Sequence, residues 1–418
     1  MCTCHHKRLA AASTRMMPLN KFDILKICSE PLKQDHLLLP STFKFFYMKF
    51  TALLVSICMF INFTRAQPIN NKPLRVGIAG LVHDHVNWIL ARENRGDIEI
   101  TGIAEPNRAL AESYAARYGY NMNLVYNSLE EMIDKTKPDA VVAFNNIFDH
   151  LKTVEYCAPR GIHVMVEKPL AVSVDHARQM IALAQKNNIH LITNYETTWY
   201  SSNRDAWKFI HEEKRIGDIR KIVFHTGHNG PAEIGCSQAF LEWLTDPVLN
   251  GGGALTDFGC YGANIATWLM KEEKPISVTA ITQQIKPQRY PKVEDEATII
   301  VTYPKTQVII QASWNWPYGR KDMEVYGSDG YVFCLDNDKM LIMENNQRKK
   351  DTLVAAPMAA SQNDPFAYFA NVVNGNIKPG IYDLSSPANN LIVVQILEAA
   401  KISAQTGKTI LWDEFFKN

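Results

Sequence analysis

Neither sign of charge dominates this chain of 418 residues: 44 Lys and Arg face 43 Asp and Glu, with no run of like charge. That balance excludes the broad basic face needed by nucleic acid or an anionic membrane surface. Paired cysteines are missing as well. Of eight, only Cys157, Cys236, Cys260 and Cys334 follow residue 66, and none stands in a CxxC spacing. Neither a zinc site nor a disulfide framework is expected, and these four read as buried small hydrophobes. Cys2-Thr3-Cys4-His5-His6 has the look of a metal cluster but lies in an N-terminal stretch outside the globule, so no metal is expected. Internal repeats and low-complexity linkers are also absent. The apolar run Thr51 to Phe63 is too short for a comfortable membrane span. What remains is a globule of enzyme size, two or three domains long.

That apolar run has a different use. Met48-Lys49-Phe50 before it and Thr64-Arg65-Ala66 after it complete a basic start, an h-region and a small-residue cleavage site. A secretory signal cut after Ala66 is expected, with Met48 as the start, residues 1–47 a start-site artefact, and export into a bacterial periplasm. The alternative is an uncleaved signal that anchors the protein to a membrane; Ile57 makes Cys58 a poor lipid-attachment site.

From Leu74 the pattern is regular. Strands are expected at Leu74 to Gly80, Ile98 to Ala104, Asp139 to Phe144, Ile162 to Val166 and Ile189 to Thr193. Helices lie between them, one opened by Ser128 with Glu131 in a capping box and one by Ser173. Such alternation predicts an α/β fold whose N-terminal domain, residues 74–193, is a Rossmann-type doubly wound parallel sheet. Residues 194–418 turn to longer strands: Ile219 to His228, Ile276 to Gln284, Ala297 to Tyr303, Val308 to Trp316 and Met323 to Tyr326. They predict a C-terminal α+β domain with a large antiparallel sheet. The last helix, near Asn390 to Ala404, is expected to pack back on the first domain.

The first strand-to-helix turn is where a dinucleotide pyrophosphate rests in such a sheet. It reads Gly77-Ile78-Ala79-Gly80-Leu81-Val82-His83-Asp84-His85. Gly80 serves as the tight-turn glycine of GxGxxG, but Val82 stands where the backbone approaches phosphate and His85 where a glycine packs the helix. His83 offers a hydrogen bond to phosphate in their place. Glu105 ends the second strand 25 residues after Gly80, where a carboxylate bonds ribose hydroxyls and repels a 2′-phosphate, so NAD is favoured over NADP. Arg108 nearby moderates that preference.

Five spaced motifs stand further along the chain: Asn145-Asn146 with His150, Glu167-Lys168-Pro169, Gly251-Gly252-Gly253-Ala254-Leu255-Thr256-Asp257-Phe258-Gly259-Cys260-Tyr261, Glu294-Asp295-Glu296-Ala297, and Gly327-Ser328-Asp329-Gly330. Together they resemble the Gfo/Idh/MocA oxidoreductases, the glucose-fructose oxidoreductase and inositol dehydrogenase family, across nearly everything from Leu74 onward. The resemblance implies that Lys168 lies beside nicotinamide and substrate, that Pro169 holds a fixed turn, and that Glu167, Asn145, Asn146 and His150 help seat the cofactor. It also matches Asp257 to the family's aspartate and Tyr261 to a position held by histidine or tyrosine.

On a helix from Leu255 to Met270, Asp257 and Tyr261 at i and i+4 share one face and address one substrate hydroxyl. Oxidising a carbinol needs a base for the O–H proton while hydride leaves to nicotinamide; a Tyr261 hydroxyl with its pKa lowered by Lys168 and the cationic nicotinamide ring can serve, with Asp257 orienting the substrate or sharing the role. Tyr195, Trp199, Trp314 and Trp316 supply flat faces for a sugar ring, and Asn194, Glu196 and His228 supply hydroxyl partners. The expected function is NAD-dependent oxidation or reduction of a sugar or polyol by a homo-oligomer with a tightly held cofactor. Two other readings stay open: a glycoside-cleaving enzyme with transient ring oxidation, and a non-catalytic NAD- and sugar-binding sensor.

Overall fold

The computed structural model describes residues 72–271, 273–344 and 350–416. The signal reading at Met48 to Ala66, Cys58 and the Cys2 to His6 cluster lie outside them. Among the described residues no helix is long and apolar enough to cross a membrane.

Short, nearly unbroken apolar runs suit strands covered on both faces. Six of them, β1 (Leu74–Ala79), β2 (Ile98–Ala104), β3 (Val125–Tyr126), β4 (Ala140–Ala143), β5 (His163–Glu167) and β6 (Leu191–Asn194), form a parallel sheet in the order β3-β2-β1-β4-β5-β6. At only two residues, β3 is too short to show a periodicity, and the sequence reading missed it. The chain winds outward from β1 to β3, then returns to β4 beside β1. The crevice over the strands' C-terminal ends at that reversal is where open sheets of this kind take their ligands. Helix starts follow their caps: Ser128 Oγ accepts from Glu131 N and Ser173 Oγ from His176 N.

The second sheet has nine strands: β7 (Ile219–Gly227), β8 (Ser277–Gln283), β9 (Glu296–Thr302), β10 (Gln307–Ser313), β11 (Arg320–Gly327), β12 (Gly330–Cys334), β13 (Lys339–Glu344), β14 (Lys350–Val354) and β15 (Ile410–Leu411). Their order is β14-β13-β12-β11-β7-β10-β9-β8-β15. It is antiparallel except between β7 and β10, which run parallel with Phe224 opposite Ile310. The large antiparallel sheet expected from the sequence is thus mostly so, and the parallel pairing arises because the helices between β7 and β8 form a crossover and the β8-β9-β10 meander then returns beside β7 in the same direction. Ala297, Ile299 and Val301 on β9 and Val308, Ile310 and Ala312 on β10 point inward, so a one-residue slip would turn a whole face outward.

The helix Pro387–Thr406 joins the two cores. Val393, Ile396 and Leu397 pack under the second sheet and Val394 enters the core of the first. Glu398 Oε2 accepts from Val174 N, and Lys401 Nζ donates to Val172 O and Gly251 O, tying the last helix to the entrance of the site.

The Gly251 to Gly253 turn delivers the chain into the crevice. A Cβ at Gly253 would lie 1.9 Å from Glu294 O, a backbone atom that cannot step aside. Gly253→Ala is therefore expected to cost more than about 2 kcal/mol, whereas Gly380→Ala, at a site with nothing within 4 Å, stays within about 0.5 kcal/mol. Parallel urea melts check this; equal midpoints would remove the packing argument.

Candidate active site

The β1 loop is shaped from several sides. Gly80 takes φ +82°, and a Cβ there would press on Asn145 at 3.0 Å. Glu105, 3 % exposed, turns its carboxylate onto this backbone: Oε2 accepts from Leu81 N at 2.9 Å and Oε1 from Asn107 N at 2.8 Å. Expected as a ribose ligand, Glu105 is in this structure a brace for the loop, and burial raises its pKa. Arg108, the nearby cation, is paired with Glu112. Residues from the second domain close the outer side: Trp243 Nε1 donates to Val82 O, Ser237 N donates to Asp84 Oδ2, and the His83 ring packs on Phe240 and Trp243.

At the end of β5 the chain passes a cis Lys168–Pro169 bond. Glu167, 1 % exposed, ties three segments: Oε1 accepts from Asn194 Nδ2 at 2.7 Å and Oε2 meets His85 Nδ1 at 2.8 Å. Asn194 Oδ1 in turn accepts from Trp199 Nε1. Lys168 reaches across to the second domain, where its Nζ lies 2.5 Å from Asp257 Oδ1 and 3.2 Å from Asp257 O. Trp314 Nε1 donates to Asp257 Oδ2 at 3.0 Å, so both carboxylate oxygens are held.

The expected single helix over Leu255 to Met270 is two pieces, Ala254–Asp257 and Gly259–Met270, broken at Phe258, whose carbonyl accepts from Thr226 Oγ1. The first piece is anchored by Glu294, whose Oε1 accepts from Gly253 N and Leu255 N. Despite the break, Asp257 and Tyr261 meet at the same lysine: Lys168 Nζ stands 5.0 Å from the Tyr261 ring centroid. A second cation, Lys321 on β11, stands 4.8 Å from that ring and is paired with Glu196. Nothing in the sequence pointed to Lys321; strand alternation alone aims it inward, and only the sheet order brings β11 to the site.

Charge follows burial and pairing. For Lys168, burial pulls the pKa down, but the charge and hydrogen bond of Asp257 outweigh it and the net shift is upward. For Asp257, burial pushes up, and Lys168 outweighs it downward. Both partners therefore stay charged. Tyr261 departs from expectation: burial, reinforced by Glu196 and other anionic neighbours, raises its pKa well above the ordinary value. Its hydroxyl is held protonated and is not a ready base. His228 is lowered to about 4, by burial first. Its Nδ1 accepts from Gly230 N, so the neutral ring carries its proton on Nε2 and is a donor.

His83 Nε2, His85 Nδ1 and Glu167 Oε2 lie within 4.8 Å of one another, a spacing that a metal ion can use. The hydrogen bonds argue for another role. His83 Nδ1 accepts from His85 N, which puts the ring proton on Nε2, the atom that would have to coordinate; ligating histidines show the reverse arrangement. Burial lowers both histidines well below their usual range, so they sit as neutral rings around the Glu167 carboxylate.

Other sequence candidates separate clearly. Tyr195 is fully enclosed, its ring edge-on to Tyr261, so it backs that residue and presents no face for stacking. Trp314, fully buried, orients Asp257. Asn194 is an internal strut, while Trp199 lines an open cavity. Asn146 closes a turn on Asp149, and Asn145 Nδ2 donates to Thr153 Oγ1. His150 Nδ1 lies 3.1 Å from Leu170 O. Burial holds Cys157, Cys236 and Cys260 as thiols with pKa values pushed up to about 12.

A nicotinamide dinucleotide fits these residues. His83 Nε2, Asn145 Oδ1 and His150 Nε2 are buried around the crevice without a hydrogen-bond partner among the described residues. Buried polar atoms left so are costly, and a polar ligand resolves them. A Rossmann sheet, a braced glycine turn and a buried ion pair between Lys168 of that domain and Asp257 of the second define a dinucleotide-dependent oxidoreductase. Comparison with known proteins gives the family: the profile described as oxidoreductase family, NAD-binding Rossmann fold, matches residues 74–195, and that of the GFO/IDH/MocA C-terminal domain matches residues 206–333. The chain belongs to the Gfo/Idh/MocA oxidoreductases. A trans-1,2-dihydrobenzene-1,2-diol dehydrogenase of Xenopus tropicalis is 24% identical over 73% of this chain and 89% of its own length. For the Xenopus laevis enzyme of the same name the identity is 29%, over 44% of this chain and about half, 52%, of the relative. Among solved structures, an inositol dehydrogenase homolog from Azotobacter vinelandii complexed with NAD+ aligns with TM-score 0.70 and 17% identity, covering 82% of this chain and 98% of that one. An aldose-aldose oxidoreductase from Caulobacter crescentus complexed with glycerol aligns at 0.68 and 22%, covering 81% and 100%. At these identities the structural likeness speaks to the fold.

Two outcomes follow. Removing one partner of a buried ion pair leaves an uncompensated charge, so Asp257→Ala is expected to cost about 3–5 kcal/mol and the double variant with Lys168→Met distinctly less, measured by urea unfolding. A double variant as unstable as the sum of the singles would show that the pair is not coupled. His150, lowered to about 4 chiefly by burial, refuses a proton that the unfolded chain takes up near pH 6.5. Its contribution is complete above about pH 6.5 and is lost as pH falls to about 4. His150→Gln should make the stability-versus-pH slope in that window shallower by up to one proton; unchanged slopes would remove the assignment.

Proposed function

We propose that this protein is an NAD-dependent oxidoreductase that transfers hydride between a sugar or polyol carbinol and nicotinamide. The observation that carries the reading is the buried Lys168–Asp257 pair, set where the Rossmann crevice meets the second domain and flanked by Tyr261 and Lys321. The relatives named as acting on a diol and the structural neighbours named for inositol and aldoses support the same substrate chemistry. A bound nicotinamide dinucleotide supplies the hydride acceptor. Gly80, Val82 and His83 of the β1 loop, Glu105 behind it, and Asn145, Asn146, His150 and Glu167 along the crevice would hold it.

The protein's own part is proton handling and orientation. Trp314 fixes Asp257 Oδ2, Asp257 Oδ1 fixes Lys168 Nζ, and Nζ in its deprotonated form would take the proton of a substrate hydroxyl held against it. Because Tyr261 is held neutral, it donates a hydrogen bond to the substrate oxygen and leaves the base role to Lys168 and Asp257. His228 Nε2–H supplies a second donor. The partly exposed outer face of the nine-stranded sheet, with Val223, Ile300 and Ile309, suits a homo-oligomer. The Met48 to Ala66 pattern supports export, and a cofactor held without release through alternate oxidation and reduction of two substrates suits a compartment poor in free NAD.

The first test is to denature the purified protein, count and identify released nucleotide, and follow reduced-nicotinamide absorbance in the native protein on adding sugars. Stoichiometric NAD with a sugar-dependent signal is expected; no nucleotide, and none rebound, would overturn the reading. With Lys168 raised in pKa, kcat/KM for oxidation should climb with pH from 7 toward 10 as Nζ becomes free to accept a proton. Asp257→Asn should move that climb to lower pH while cutting the rate by about 10²–10⁴-fold. A flat profile would transfer the base role elsewhere.

A further inference from the structure

A cavity of about 480 Å3 opens where Trp88, Glu196 and Trp199 face Asn337, Asn363 and Phe366. Three of its walls are linked to the reactive end through one or two intervening side chains. Trp88 stacks on His85 at 3.9 Å, and His85 bonds Glu167. Trp199 donates to Asn194, which holds the other oxygen of Glu167. Glu196 pairs with Lys321, the cation over the Tyr261 ring. Its volume falls within the range of small-molecule sites, and a ring reacting at Lys168 leaves it unfilled.

The chemistry of the walls narrows the occupant. Two indoles give flat apolar faces, while Asn337 and Asn363 bring amides to the same space. Charges are present but already paired: Arg95 Nη1 meets Asp364 Oδ2 at 2.6 Å, and Arg92 is shared between Asp97 and Asp364. An anionic ligand thus finds no free cation, and Glu93 and Glu196 would repel it. The adenosine half of a dinucleotide belongs over the C-terminal end of β2 beside Glu105, and Glu105 is not among the residues that line this cavity. Flat faces, amides and neutralised charge suit a neutral polyhydroxylated ring.

From this arrangement we infer that the cavity is a subsite for a second sugar ring, so that the substrate of the oxidoreductase is a glycoside or disaccharide with one ring at Lys168 and the next between Trp88 and Trp199. The inference rests on the oxidoreductase reading for the first ring, but the recognition of the second ring can be read without turnover. Ala91, at the exposed end of the helix that carries Trp88, borders the cavity and contacts none of the catalytic groups, so Ala91→Trp fills the space from outside.

The test uses the NAD-loaded protein with hexoses and the disaccharides built from them, following both reduction of NAD and quenching of tryptophan fluorescence. Disaccharides should exceed their hexoses in kcat/KM by at least about tenfold, and Ala91→Trp and Asn363→Ala should each erode that ratio. Equal kcat/KM for both substrate classes would overturn the subsite. If no sugar is oxidised, quenching by disaccharides but not by hexoses, lost in Ala91→Trp, would keep the subsite and discard the redox reaction. The absence of both turnover and quenching would overturn the inference itself.

Discussion

Lys168 and Asp257 are buried against each other from opposite domains, and much of the molecule is arranged so that this can happen. Neither charge is tolerable in that place alone. The lysine follows β5 of the Rossmann sheet, and the aspartate follows a triple-glycine turn that Glu294 grips by two backbone N–H groups. Trp314, just past the end of β10, donates to the carboxylate oxygen that Lys168 does not hold. Attraction between the two ions outweighs the desolvation of each, which is why their pKa shifts move in opposite directions and why the pair stays ionised. The pair fixes the second domain over the crevice at the same time as it stores the proton-handling group.

Around that pair, the polar groups sort into struts and open ends. Glu167 is the main strut on the Rossmann side, holding the β1 loop through His85 and the segment after β6 through Asn194. Glu105 braces the same loop from beneath. The open ends, His83 Nε2, Asn145 Oδ1 and His150 Nε2, gather where a dinucleotide belongs. A frame held by such struts, with open polar ends toward the crevice, is the condition for preorganised binding. The unusual Val82 and His85 fit that frame: Val82 offers its carbonyl to Trp243, and His85 replaces a packing glycine with a ring that bonds Glu167 and stacks on Trp88.

Much of this was readable in the amino-acid order. Alternating apolar runs and helix caps at Ser128 and Ser173 are local signals, set by backbone sterics and hydrogen bonding within a few residues, and they placed the Rossmann strands within a residue or two. The EKP and GGGxxxDxxxY motifs marked Lys168, Asp257 and Tyr261 as one group. What the order of residues left undecided was long-range. The β7–β10 parallel pairing depends on where a crossover returns, and the break at Phe258 depends on what its carbonyl meets across the core. Tyr195 and Trp314 have the same side chains whether they face a ligand or back a catalytic residue; only burial distinguishes the two. The direction of the Tyr261 shift was likewise beyond reach, because it is the sum of desolvation and charges contributed by Glu196, Asp257 and Glu167, which are distant in the chain. The sequence by itself determined the elements and the Rossmann architecture, since these rest on local geometry, and the family resemblance of its motifs singled out Lys168 and Asp257. The tertiary structure decided which polar groups are struts, which are open, and that a second cation, Lys321, reaches the site, because dielectric environment and distance exist only once the two sheets have closed on each other.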